Sequence, residues 1–244
     1  MQVRSRQAVL TAVAASSLLL LTACNSDSGD GTKKKTSAAP SAPAHITAAQ
    51  AEQALVTLED LPAGWKVEAH TTLDKSQGAE EEAITDAKPE CAPITGLLNS
   101  GQVDQDHKAK SERVFTKKGD QTMVAQVVNG YALPQAEKAM AGLRTAVETT
   151  CATFTGKQGG KKTKVTVKKT AEQHKYGDES LTYTVKVVTG DQQMDFDMGT
   201  VRSRGAITTI INNYPDKGDR GKEAFSKALA KASEKLTAVT AKTT

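Results

Sequence analysis

Residues 181–201 read LTYTVKVVTGDQQMDFDMGTV. Apolar side chains fall at every second position, at Leu181, Tyr183, Val185 and Val187 and again at Met194, Phe196 and Met198. Successive side chains of a strand point to opposite faces, so this period of two predicts strands over Leu181 to Val188 and Gln193 to Val201. One face is buried and one is wet, the pattern of an antiparallel meander.

Toward the C-terminus, Ser203-Arg204-Gly205 has hairpin composition and leads into a strand over Ala206 to Asn213. A last helix near Arg220 to Leu236 places Phe225, Leu229, Ala232 and Leu236 on one stripe. Toward the N-terminus, Lys162 to Lys169 reads as a strand. Before it, Pro134 suits the first turn of a helix in which Met140, Leu143, Val147 and Cys151 recur at steps of three or four. Strands over Glu112 to Thr116 and Thr122 to Tyr131 flank Lys118-Gly119-Asp120, again a hairpin composition. From Asp74 to Asp106 the sequence is acidic and broken, apart from a helical turn near Ile94 to Leu98. Thr47-Ala48-Ala49-Gln50 has the form of a capping box and opens a helix carrying Ala51, Leu55 and Leu58. That helix stops at Leu61-Pro62-Ala63-Gly64-Trp65, before a short strand over Trp65 to Ala69. This order predicts an α+β domain, an antiparallel sheet with helices packed on one face, over residues 46–244.

Composition excludes several classes. The chain has 244 residues, 38% hydrophobic, 25% charged and 4% aromatic, which suits one medium domain with appendages and not a collagen, a coiled coil or a multi-span membrane protein. A formal charge of +4 is too small to imply nucleic acid as a partner. The charge is nonetheless uneven: Ile46 to Asp106 carries three basic and twelve acidic residues, a net of −9, and His107 to Thr244 carries 24 basic and 14 acidic, a net of +10. The two parts should attract, and the seam between them is the expected place for a cleft.

Residues 1–23 have the layout of an export signal: Arg4 and Arg6, an apolar run from Ala8 to Leu21, then small residues. The run is shorter than the roughly 20 residues that span a bilayer comfortably. Leu21-Thr22-Ala23-Cys24 resembles the lipobox of bacterial lipoproteins. The resemblance implies cleavage before Cys24 and a diacylglycerol on its sulfur. Acyl chains contribute about 0.8 kcal/mol per buried methylene, so two or three would hold the mature chain on the membrane. Residues 24–45 hold no large apolar side chain before His45, a composition expected of a disordered tether; Lys33-Lys34-Lys35 within it could touch anionic headgroups or serve as a solvated spacer.

With Cys24 lipidated, Cys91 and Cys151 remain, an even pair in a compartment where disulfides persist. A bond between them is expected. A catalytic thiol would need a positioned histidine, and His45, His70, His107 and His174 are scattered.

Other candidate sites carry competing readings. Gly156-Lys157-Gln158-Gly159-Gly160-Lys161-Lys162-Thr163 fails as a phosphate loop, because Thr155 stands where a glycine is needed and Lys162 where Ser or Thr is needed. It reads as a helix-to-strand loop. Lys162, Lys164 and Lys168 share the outward parity of a strand whose inward residues are Val165 and Val167. This basic ridge suits anionic lipid headgroups or the phosphates of wall polymers; a charged sheet edge that discourages aggregation accounts for the same residues. Asp195 and Asp197 flank Phe196 on one face, as a partial cation site or as two solvated charges, and the segment lacks the further oxygen ligands that Ca²⁺ needs. No metal or cofactor is predicted. Glycoside hydrolysis would need sugar-stacking aromatics beside the carboxylates, and Trp65 is the single tryptophan.

The lipobox, the polar tether, the helix ending in Asp60-Leu61-Pro62-Ala63-Gly64-Trp65, and Cys91 before a hairpin with Cys151 at a helix end together resemble actinobacterial cell-envelope lipoproteins. They are similar to the extracellular sensor domains of mycobacterial receptor Ser/Thr kinases of the PknH type. The resemblance implies an antiparallel sheet with flanking helices and a ligand cleft, and it implies no catalytic residue. That family has two disulfides, and this chain can make one. The expected function is a non-enzymatic ligand-binding or sensor-like domain, lipid-anchored and facing the extracytoplasmic side. Its partners would be the membrane through Cys24, and an envelope lipid, a wall polymer or a membrane protein. The alternative is a lipid or glycolipid carrier, which needs an apolar cavity of about 300 to 1,000 Å³ or more.

Overall fold

A computed structural model describes residues 45–68, 83–119, 122–214 and 221–243. Cys24 and the expected signal and tether up to residue 44 lie outside the described residues, as do Ala69, Asp120 and Arg220 at expected element ends. The capping box forms as predicted: the Gln50 amide N–H donates to Thr47 Oγ1 at 3.2 Å and the Thr47 N–H to Gln50 Oε1 at 2.8 Å, opening helix α1, Ala48–Gln53. Strand β1 is Trp65–Val67. Helix α2, Ala92–Ser100, extends the predicted turn in both directions and ends at Gly101 in the left-handed region. Strands β2, Ala109–Lys117, and β3, Met123–Gly130, precede helix α3, Leu133–Thr145, which closes in a wide turn over Ala146–Thr150. Five strands follow: β4 Thr153–Gln158, β5 Lys161–Lys169, β6 Glu179–Thr189, β7 Gln192–Ser203 and β8 Ala206–Tyr214. Helix α4 is Lys222–Thr240.

The described strands form one antiparallel sheet in the order β1-β2-β3-β8-β7-β6-β5-β4. Two meanders meet where β3 pairs with β8, with Ala125 opposite Ile211. Strand β4 is a departure from the sequence reading, which placed a loop there. The pair Gly159-Gly160, both with positive φ, makes the tight β4–β5 turn, and Phe154 is the one large apolar residue of the strand. With so little alternation, its strand character comes from pairing to β5.

The α+β class and the antiparallel sheet stand as predicted, but the helices divide between both faces. Neighbouring residues of the central strands enter different clusters. Val114, Ala125 and Ile211 pack with α2 and α3, while Phe115, Val124 and Ile210 pack with α4. Strands β3 and β8 are buried on both sides, and consecutive apolar pairs such as Val127-Val128 and Ile210-Ile211 require that. The half-wet alternation that predicted a single covered face holds for β4, β5 and the second half of β6; the first half of β7 does not alternate, and Met194 there is exposed.

Cys91 and Cys151 are bonded, fully buried among α2, α3 and the sheet. The acidic segment meets the basic remainder through ion pairs from Glu52 to Arg113 at 2.6 Å, Asp86 to Lys157 at 2.8 Å, and Asp60 to Lys235. These are the attraction that the charge asymmetry predicts.

Candidate functional site on the bare face of the sheet

Helices α1 and α4 cover the second face over β2, β3, β8 and the end of β7. Gly199 permits this close approach: a Cβ there would lie 2.7 Å from Leu229 Cδ2 on α4. Beyond β7 the cover is a loop over residues 170–178. Within it Gln173 Nε2 donates to the Thr182 carbonyl at 2.8 Å, and Tyr176 packs toward the α4 cluster. Between that loop and the start of α4, the sheet face carries no helix among the described residues.

Pairing register arranges this bare face. One row of side chains runs across four strands as Thr166, Lys186, Asp195 and Tyr214; the next runs as Lys168, Thr184, Asp197 and Asn212. Adjacent strands lie about 4.8 Å apart and residues two apart along a strand about 7 Å. The rows form a lattice of ammonium, hydroxyl and carboxylate groups. A cleft of about 440 Å³ opens over it, with Lys222 from the first turn of α4 on its wall.

The floor is polarised. Tyr214 OH donates to Asp197 Oδ1 at 3.4 Å and Asn212 Nδ2 to Oδ2 at 3.5 Å. Burial pushes the Asp197 carboxyl above its ordinary range, and the nearby Asp195 charge adds to this. The hydrogen bonds from Asn212 and Tyr214 and the Lys222 ammonium pull the other way without cancelling it. Burial raises the Tyr214 phenol too, helped by the Asp197 and Asp195 charges. Asp195 is answered in place by Gln193 Nε2 at 2.6 Å and Lys186 Nζ at 3.7 Å.

Of the residues singled out by sequence, Lys162, Lys164 and Lys168 do share one face, exposed, and Lys168 lines the cleft. Asp195 and Asp197 share that face as predicted. Cys91 and Cys151 lie across the sheet from it. This cleft is not the one expected at the seam between acidic and basic segments: every residue lining it lies between Thr166 and Lys222, inside the basic part. The edge reading of the lysine ridge is corrected, because β5 is hydrogen-bonded on both sides, to β4 and to β6. Thr166, Thr184, Lys186 and Tyr214 were missed. Parity alone would have put Thr184 and Lys186 opposite the inward Tyr183, Val185 and Val187, but only register brings them beside Asp195 and Asp197. Among the described residues, no group of three or more His, Cys, Asp or Glu side chains could hold a metal ion.

Neither a family model nor a curated protein matches the chain. Solved structures do. The extracellular domain of PknH from Mycobacterium tuberculosis superposes with a TM-score of 0.50 at 12% identity, covering 78% of this chain and 97% of that one. The Rv0999 ortholog from Mycobacterium smegmatis aligns with a TM-score of 0.40 at 14% identity, over 84% and 98% of the two chains. The chain therefore has the fold of the PknH extracellular domain, the family its sequence pattern resembles.

Proposed function

We propose that this chain is a lipid-anchored extracytoplasmic domain that binds a ligand, in the manner of a sensor, without transforming it. The observation that carries the reading is the cleft on the bare sheet face, whose side chains come from four strands and a helix end and include no thiol, imidazole or serine. Asp195 in its lining and Asp197 in the floor beneath are each held by neighbouring donors, and hydroxyl and ammonium groups share the lining with Val185 and Phe196. Support for the location comes from the lipobox at Leu21 to Cys24, from the buried disulfide, and from the shared fold with an extracellular domain. No described helix is long and apolar enough to cross a membrane.

A thermal-shift screen of the full chain in detergent, against polar fractions of a cell envelope, tests this. At least one fraction should raise the melting temperature saturably, with the rise lost in Lys186→Ala. Turnover of a wall or lipid substrate that disappears in Asp197→Asn would contradict it.

A further inference from the structure

Resting on that reading of the cleft, we propose that the bare face docks a phosphodiester-bearing anionic polymer, laid along β5 and gripped where it crosses into the cleft. Lys162, Lys164 and Lys168 project from one face of β5, all exposed and none in an ion pair among the described residues. At about 3.3 Å per residue they form a cationic row about 20 Å long, more than a single phosphate can occupy. These lysines do not guard a strand edge, since β4 covers that side. Their charge stands on a part of the sheet face that no described helix covers.

The donors beside the row favour phosphate. Every cation of the row and cleft is lysine, a compact point charge that suits a tetrahedral anion and does not impose the planar fork of arginine. Hydroxyls alternate with them: Thr166 lies between Lys164 and Lys168 on β5, and Thr184 stands opposite Lys168 on β6. Ammonium and hydroxyl donors together can saturate the free oxygens of successive phosphodiesters. Asp195 leaves the row's charge intact, because its own counter-charge comes from Lys186 and its hydrogen bond from Gln193.

Titration calorimetry of the full chain in detergent, with synthetic poly(glycerol phosphate) as probe, decides this. Binding is expected to weaken as salt rises. Lys164→Glu with Lys168→Glu should weaken it about tenfold or more, and Lys162→Glu with Lys164→Glu should do the same. Charge reversal at exposed Lys138 on α3, across the sheet from the face, should leave it unchanged. Circular dichroism of each variant confirms folding. The proposal is overturned if poly(glycerol phosphate) does not bind, if the β5 variants bind it as well as the parent, if polyglutamate of equal charge binds equally, or if phosphatidylglycerol vesicles bind more tightly. Should an uncharged envelope fraction raise the melting temperature through Lys186 while the phosphate polymer fails, the cleft remains a ligand site and only its assigned chemistry falls. If neither acts, both readings fall.

Discussion

Cys91 and Cys151, 60 residues apart in the chain, are joined with their Cα atoms 5.7 Å apart, and neither has any solvent exposure. The bond ties the start of α2 to the end of α3 on the face opposite the cleft. Closing a loop of this length restricts the unfolded chain and stabilises the fold by about 4 kcal/mol. Replacing both cysteines by alanine should lower stability by about that amount in urea unfolding while leaving ligand affinity unchanged. In the native protein without reductant, neither thiol should react with iodoacetamide.

Leu229 and Gly199 set where α4 sits, and so where the cleft ends. A methyl group at Gly199 would collide with the Leu229 side chain. Overpacking of this kind costs about 1 to 3 kcal/mol. Gly199→Ala should show that loss in thermal unfolding, and most of it should disappear when Gly199→Ala is made in a Leu229→Ala background, measured against Leu229→Ala alone.

Gln126 is fully buried and holds the end of α1 to the sheet. It accepts from the Val56 N–H at 2.6 Å and donates to the Ala54 carbonyl and Thr208 Oγ1, both at 3.0 Å. Gln126→Leu keeps the volume but strands two backbone groups, each worth about 1 to 3 kcal/mol when left unpaired. A destabilisation of about 3 kcal/mol is expected by urea unfolding; a neutral result would mean that α1 detaches without cost.

Asp197 should give the cleft a pH signature. Its carboxyl is raised in the folded state, so the folded chain holds that proton more tightly than the unfolded chain. The resulting contribution is complete below the ordinary aspartate value of 3.8 and is lost as pH rises through the higher folded value. Asp197→Asn should therefore stabilise the protein at neutral pH, with a gain that shrinks as pH falls toward 3.8. Melting temperatures of both proteins across that range check the sign.

Much of the fold was legible because burial writes itself into spacing. Leu181 to Val187 announce β6, Thr47 and Gln50 announce the first helix, and the cysteine count points to the Cys91–Cys151 bond. The second helical layer was also written, in Val127-Val128 and Ile210-Ile211, but a meander template outweighed it. Strand β4 was hidden because Gly156 must lack a side chain: a Cβ there would lie 2.6 Å from the Thr85 carbonyl oxygen. The site was half legible. Parity gave the lysine row and the Asp195/Asp197 pair, but the rows come from successive strand pairings that together bring Thr166 into line with Tyr214, and no local pattern of Tyr214 or Lys222 reports it.

Amide NMR of the full chain in detergent, titrated with poly(glycerol phosphate), tests the central claim most directly. The account predicts saturable shifts at Thr166, Lys168, Thr184 and Lys186, with the amides around Cys91 and in α2 unmoved. Shifts confined to the α2 and α3 face, or none at saturating polymer, would contradict it.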